Sequence, residues 1–272
     1  MILGQKLSAA DAAVFETFVV PRYLALFGEL LLQMALGSDS ARMVHLGCRT
    51  GYPDRSLLER ANDVDILGID PSLSALELAR NKAAALGDVP IRYQLADALP
   101  TNLDAGSFSH ALALNPVASQ DDRGRLFAEM SRLLYSGGQA LVTLPLRGSF
   151  QELIDLLREY ALKSDDGPLG KSVEEGSLSS PTIETLSEEL EAAGFEDVDV
   201  EIRHTQLPFD SGRAFIEDPV SRLLILPELS KMLAVEDLQQ GLDYVRDAID
   251  KYWSETKFEL SLNVGCASSR KP

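Results

Sequence analysis

Four places in the 272-residue chain set polar or glycine residues at the end of an apolar run, where a turn would lead into a helix. They are Gly47-Cys48-Arg49-Thr50-Gly51, Asp70-Pro71, Asp97-Ala98 and Asn115-Pro116. Open α/β sheets bind ligands beyond the carboxyl ends of their strands, so these places mark a ligand site by position alone. An acid roughly twenty residues after a glycine turn can accept hydrogen bonds from two ribose hydroxyls, the role open to Asp70. Free N–H groups at the start of the following helix favour a carboxylate or phosphate. The predicted chemistry is the binding of a nucleoside with an anionic tail.

Those places need a sheet to position them, and the hydropathy pattern supplies one. Strand and helix signals alternate, which predicts a parallel sheet covered by helices on both faces. Residues 8–36 read as helix, with Pro21 expected to kink or split it near Val20. Strands are expected at Ala41–Leu46, Val64–Ile69, Ile91–Leu95, Ser109–Leu114, Ala140–Leu144, Val198–His204 and Lys257–Val264. Helices are expected from Pro53 to about Ala61, from Ser72 to Leu86, at Asp121–Leu134, stopped by Gly137-Gly138, at Phe150–Leu162 and from Thr182 to Ala193. Residues 164–181, rich in Gly, Ser and acids, read as a loop, and 212–253 as an insert of two or three helices.

Composition narrows the function. The formal charge of −17, from 42 acidic and 25 basic residues, argues against sequence-independent binding to nucleic acid. It fits a solvated surface. Cys48 and Cys266 are far apart and lack metal-ligand spacing, so no metal site is expected and a reducing, cytoplasmic setting is. The first residues show no basic segment followed by an apolar one, and the strongest early apolar run, Leu24 to Leu36, is too short to span a bilayer. No membrane insertion is expected.

At these residues the sequence resembles a class I S-adenosylmethionine-dependent methyltransferase of the small-molecule type. Val44-His45-Leu46-Gly47-Cys48-Arg49-Thr50-Gly51 stands where that family has apolar-apolar-acid-apolar-G-x-G-x-G, and Asp70 matches its acid at the end of the second strand. Asp97-Ala98-Leu99-Pro100 with Gly106-Ser107-Phe108, then "RLLYSGGQALVTLP", then "LEAAGFEDVDVE", follow in the family's order. The resemblance implies a Rossmann-like, doubly wound, mostly parallel seven-stranded sheet with an antiparallel last strand, an N-terminal helical lid and a helical insert before the last strand. It implies S-adenosyl-L-methionine as cofactor, with Asp70 and the adjoining Pro71 at the ribose diol and Asp97 with Ala98 facing the adenine. Gly47, Cys48 and Gly51 would let the backbone approach the methionine moiety, and Asn115 and Pro116 would line the methyl-donor pocket. A dinucleotide oxidoreductase shares the glycine turn and the acid, but its G-x-G-x-x-G spacing is absent here.

The chain departs from the family at three positions. His45 replaces an acid that helps to orient the donor's ammonium group, Arg49 replaces the middle glycine of the turn, and Ser109 replaces an Asp. Two placements are open to Arg49: a forked partner of the donor's carboxylate, or an obstruction inside the pocket. The alternative to an enzyme is therefore a catalytically silent chain of this fold that serves as a binding or assembly module.

Topology locates the acceptor. Residues 1–40 are expected as the lid, carrying Phe15, Phe18, Tyr23 and Phe27; 41–211 with 255–268 as the core; and 212–254 as a cap. Lid and cap would exclude water during in-line methyl transfer to a small, partly apolar acceptor. Three uses fit the insert's apolar side chains: packing against the sheet, which ranks first, an apolar acceptor, or a contact with a second copy in a homodimer. His204, at the end of its strand, and Tyr23, in the lid, are the candidate bases. His110 is not, since it lies roughly 15 Å down its strand at about 3.3 Å per residue.

Overall fold

The computed structural model describes residues 4–37, 40–60, 63–116, 119–234 and 238–272. One seven-stranded sheet runs in the order β3-β2-β1-β4-β5-β7-β6. Its strands are β1 (Ser40–Leu46), β2 (Asp63–Asp70), β3 (Ile91–Leu95), β4 (Phe108–Leu114), β5 (Leu134–Pro145), β6 (Glu196–Phe209) and β7 (Phe258–Arg270). The pairs β1–β2, β1–β4, β2–β3 and β4–β5 are parallel. Strand β7 is antiparallel to β5: Gly137 N–H donates to the Lys271 carbonyl, and Leu146 N–H to that of Asn263. This is the Rossmann-like class I methyltransferase architecture that the sequence predicts.

The chain divides into two compact units. The first holds residues 1–144, 183–201 and 265–272. Strand β4 is buried along its whole length and forms the centre of that unit's core. The helical lid comprises α1 (Ala9–Val14), a π-helical stretch Phe15–Leu24, and α2 (Ala25–Met34). Of the two outcomes expected at Pro21, the helix is not split; it passes Pro21 in π rather than α conformation. The wider π turn absorbs the missing N–H and the ring, and the chain continues in helical conformation into Ala25. Phe15, Tyr23 and Phe27 are buried as expected of the lid, whereas Phe18 is 54% exposed. After β1 come α3 (Asp54–Leu57) and a 3₁₀ turn (Leu58–Arg60), so this helix is shorter than expected; its expected end at Ala61 lies outside the described residues. Helix α4 (Leu73–Ala85) is capped by Ser72, whose Oγ accepts from the Ala75 N–H.

The Gly137-Gly138 pair does not stop α5 (Gln120–Leu133) in the expected way. Strand β5 starts at Leu134 and runs through both glycines. Gly137 takes a φ of 81°, and the register against β4 slips between Phe108–Leu134 and His110–Gln139. The pair therefore forms a bulge that keeps β5 bonded at Lys271. Helix α8 (Ile183–Ala192) packs on α5, where Arg123 holds Glu189 through Nε and Nη2, each at 2.7 Å.

The second unit holds residues 145–182 and 202–264. It contains α6 (Gln151–Lys163) and α7 (Gly167–Ser177), the latter in the stretch expected to be a loop. Asp166 caps α7 by accepting from the Leu169 N–H at 2.9 Å, Pro168 occupies its first turn, and Leu169 and Val173 are buried. The insert forms α9 (Gly212–Glu217), a π-helical turn Ser221–Ile225, α10 (Leu226–Leu233) and α11 (Gln239–Tyr252). Phe209, Phe215, Trp253 and Phe258 form an aromatic cluster with ring centroids 5.0–6.3 Å apart. Phe215, Leu223, Leu224, Ile225, Leu229 and Leu233 are buried within the chain, and Phe215 packs on Phe209 and Phe258 of the sheet. Among the described residues, no helix is long and apolar enough to cross a membrane.

Candidate functional site

All four sequence-predicted places lie in the first unit, at or just past the carboxyl ends of β1 to β4. Parallel pairing of β3, β2, β1 and β4 brings these ends to one edge of the sheet. The loop after β1 is hooked to β2, because the N–H groups of Gly47 and Cys48 both donate to the Ile69 carbonyl, at 2.8 and 3.0 Å. Gly51 closes the turn by donating to the Cys48 carbonyl at 2.8 Å. No other residue suits Gly51: its φ is 79°, and a β-carbon there would overlap the Tyr93 hydroxyl.

Tyr93 and Asp54, two residues that sequence reasoning missed, support this loop from below. The Tyr93 hydroxyl donates to Asp54 Oδ2 at 3.0 Å, and His45 Nδ1–H donates to Asp54 Oδ1 at 2.7 Å. His45 and Asp54 are both buried. The imidazole at the family's acid position is thus bound to an acid from the next helix. Burial, with Asp54 alongside, pushes the Tyr93 phenol well above its ordinary range, so it stays a donor. One sequence signal pointed there: Gly68, inside an otherwise apolar strand, leaves the room that the Tyr93 ring and Cys48 Sγ fill. Burial, followed by the charges of Asp70 and Asp54, raises the Cys48 thiol, which is therefore no nucleophile.

Asp70 ends β2 with its carboxylate buried. Oδ1 accepts from the Ser72 N–H at 2.8 Å, and Oδ2 from the Arg49 N–H at 2.9 Å. Burial raises its pKa against those two N–H groups and the nearby Arg49 and His45 charges. The N-terminal segment lies beside it, with Leu7 N–H donating to Ser72 Oγ at 3.0 Å. Pro71 is buried next to it. Asp97 and Ala98 are exposed past the end of β3, and Asp97 pairs with Lys6 at 2.8 Å.

Arg49 is buried at the middle of the turn. With a φ of 49°, it turns its guanidinium under the lid onto the end of β4. Nη1 donates to the Leu114 carbonyl and Nη2 to the Asn115 carbonyl, both at 2.8 Å. Its Cζ lies 5.7 Å from the centroid of the Phe15 ring. Asn115 also has a positive φ, 47°, and its backbone N–H donates to the Thr143 carbonyl at 2.7 Å. Its fully buried amide, Oδ1 and Nδ2 alike, has no hydrogen-bond partner among the described residues, nor does Thr50 Oγ1 in the loop. Orphaned buried polar atoms are costly, and these three, on two side chains at the ligand edge, point to a ligand that pairs them. Pro116 is half-buried beside them.

Helix α3 offers no anion site of the expected kind. It is one turn long, and its first N–H groups are used internally: Asp54 N–H on Gly51, Ser56 and Leu57 N–H on Pro53. The lid is shut on the loop. Gly28 of α2 leaves room for the Tyr52 ring, and Lys82 Nζ bridges the Thr50 carbonyl, at 3.0 Å, and the lid's Glu16, at 2.5 Å. Of the two candidate bases, Tyr23 is wholly buried and stacks on Phe27 at 5.1 Å. His204 is exposed in the second unit, its Nδ1 2.7 Å from Asn263 Oδ1. Strand β6 continues to Phe209, so His204 lies within its strand rather than at the expected end. His110 lies toward the opposite end of β4, bonded to Ser109 Oγ at 2.8 Å and to the Leu36 carbonyl at 3.3 Å.

Comparison with known proteins agrees with this geometry. Residues 43–138 match the model of the "Methyltransferase domain" family. A demethylmenaquinone methyltransferase of Deinococcus radiodurans is 31% identical over 171 residues, spanning 59% of this chain and 70% of that protein. Methyltransferase GfsG of Streptomyces halstedii is 27% identical over 118 residues, and the match spans 43% of this chain but only 42% of that relative. Among solved structures, a phosphoethanolamine N-methyltransferase of Haemonchus contortus superposes with a TM-score of 0.59 at 18% identity, covering 98% of this chain and 58% of that one; it shares the fold. With that family match, a relative 31% identical over 70% of its own length and a sheet of this order, the chain belongs to the class I S-adenosylmethionine-dependent methyltransferases.

Proposed function

We propose that the chain binds S-adenosyl-L-methionine at the carboxyl edge of β1, β2 and β4 and transfers its methyl group to a small, partly apolar acceptor. The observation that carries this reading is the orphaned, fully buried Asn115 amide, facing the same edge as the Gly47–Gly51 loop and the Asp70 carboxylate. The residues present fit the cofactor. Each Asp70 oxygen keeps a lone pair for a ribose hydroxyl, and the Asn115 amide offers both a donor and an acceptor. When bound, the cofactor supplies an electrophilic methyl group on a sulfonium.

The chain's own contribution is positioning and exclusion of water, which suffices for an in-line displacement. The lid, shut through Phe15, Glu16 and Gly28, keeps solvent from the edge and must open for exchange. An acceptor that loses a proton needs a base. Tyr23 is the candidate within the same unit as this edge, enclosed in the lid, whereas His204 belongs to the second unit, where Asn263 orients its imidazole. The named substrate of the demethylmenaquinone methyltransferase relative supports an apolar acceptor.

A second reading, a catalytically silent chain of this fold, is favoured by one observation, the Arg49 guanidinium on the Leu114 and Asn115 carbonyls. Mass spectrometry of the purified protein separates the two. Co-purified S-adenosylhomocysteine, and methyl transfer from labelled donor to one of a panel of lipophilic acids, quinone precursors or carrier-bound acyl groups, supports the enzyme. An empty protein that transfers no label supports the silent module. Asn115→Ala should lower S-adenosylhomocysteine affinity about tenfold while leaving the thermal midpoint nearly unchanged, since the amide it removes has no partner in the chain.

A further inference from the structure

We infer that Arg49 is an internal competitor for the amino-acid end of the donor, and so sets the affinity and ligand preference of the site; this rests on the pocket's being an adenosyl site. The carbonyls of Leu114 and Asn115 can only accept hydrogen bonds, and both point to the edge where the ligand lies. The donor carries two positive centres. Its sulfonium has no hydrogen to give, whereas its α-ammonium has three, so the ammonium is the part that two such carbonyls would take. In this chain the forked guanidinium of Arg49 already satisfies them, at 2.8 Å each.

Two cations cannot share those oxygens in a buried place without strong repulsion. The acids beside it are already engaged. The family's acid position holds His45, whose Nδ1 is committed to Asp54 at 2.7 Å, and both Asp70 oxygens accept backbone N–H groups. A ligand with the α-ammonium must therefore evict the guanidinium, which also separates it from the Phe15 ring of the lid at 5.7 Å. A ligand that stops at the thioether, such as 5′-methylthioadenosine, leaves Arg49 in place. The wild-type protein should then hold the two compounds with similar affinity, although one makes many more contacts.

Calorimetric titration of the wild type, Arg49→Gly and Arg49→Gln with both compounds tests this. Glycine suits the φ of 49° at this position, and Arg49→Gln retains a side chain without the charge. The expected result is that S-adenosylhomocysteine tightens about ten- to hundredfold in both variants while 5′-methylthioadenosine is unchanged. If S-adenosylhomocysteine weakens and 5′-methylthioadenosine does not, the guanidinium grips the carboxylate and the inference is wrong. A parallel change in both compounds, or none in either, would mean that Arg49 only holds the loop, and would equally overturn it. If 5′-methylthioadenosine binds none of the three proteins, the adenosyl reading of the pocket itself fails.

Discussion

Restoring the family's acid at position 45 should harm this protein rather than improve it. In His45→Asp a carboxylate replaces the imidazole that donates to Asp54 at 2.7 Å, in a place where both side chains are at most 1% exposed. At about 4 Å, two like charges in a protein interior repel by about 4 kcal/mol, and the neutralising alternative, protonating one carboxyl at neutral pH, costs about as much. The lost hydrogen bond adds about 1.5–3 kcal/mol. Asp54 also carries the Tyr93 hydroxyl that supports the loop at Gly51, so the damage reaches the cofactor site. At roughly 2–4 °C per kcal/mol, the thermal midpoint should fall by about 11–28 °C, read by circular dichroism, and S-adenosylhomocysteine affinity should fall with it. Adding Asp54→Asn to His45→Asp should recover most of the loss, because the new amide can donate to the new carboxylate. A single His45→Asp variant that melts with the wild type and binds the ligand more tightly would refute this reasoning.

Other perturbations follow from the same geometry. Gly51→Ala should cost about 2–4 kcal/mol from positive-φ strain and overlap with the Tyr93 side chain, and Tyr93→Phe should relieve only the hydroxyl's share of the overlap, as thermal melts of the two single variants and the double variant would show. Burial, with a backbone bond to Leu36 opposing and Arg270 reinforcing, lowers the His110 pKa below the usual 6.5. The folded state therefore resists protonation there. His110 contributes stability above that ordinary value, and the contribution is lost as pH falls through it toward the folded pKa. His110→Gln should accordingly flatten the decline in thermal midpoint between about pH 7.5 and pH 5.5. Arg123→Ala should cost about 3–5 kcal/mol by leaving Glu189 alone at the α5–α8 contact, measurable by urea unfolding.

The sheet was largely legible because its central strands, such as β1 and β4, carry short apolar runs closed by polar or turn residues, and the ligand edge because those polar residues close the runs. The parts that escaped share a physical reason: local composition gave the wrong sign. Helix α7 is hidden by its glycines and serines, yet Leu169 and Val173, four residues apart, anchor it and Asp166 caps it. Gly137-Gly138 reads as a stop, but a positive φ and a register slip make it a bulge that the strand runs through. Pro21 reads as a kink or a split, and a π turn carries the helix past it unsplit. At the site, His45 and Arg49 stood out as departures from the sequence alone. Their partners did not. Asp54 belongs to the next helix, Tyr93 lies two strands away, and the carbonyls that hold Arg49 are backbone groups, which carry no sequence signature.

Titration of the purified wild-type protein with S-adenosylhomocysteine, beside an Asp70→Ala variant, tests the adenosyl site most directly. One molecule should bind per chain, weakly for this family because Arg49 must move, and the Asp70→Ala variant should bind no measurable amount while remaining folded. No heat and no thermal shift from the wild type at millimolar ligand would contradict the site, leaving the fold without its chemistry.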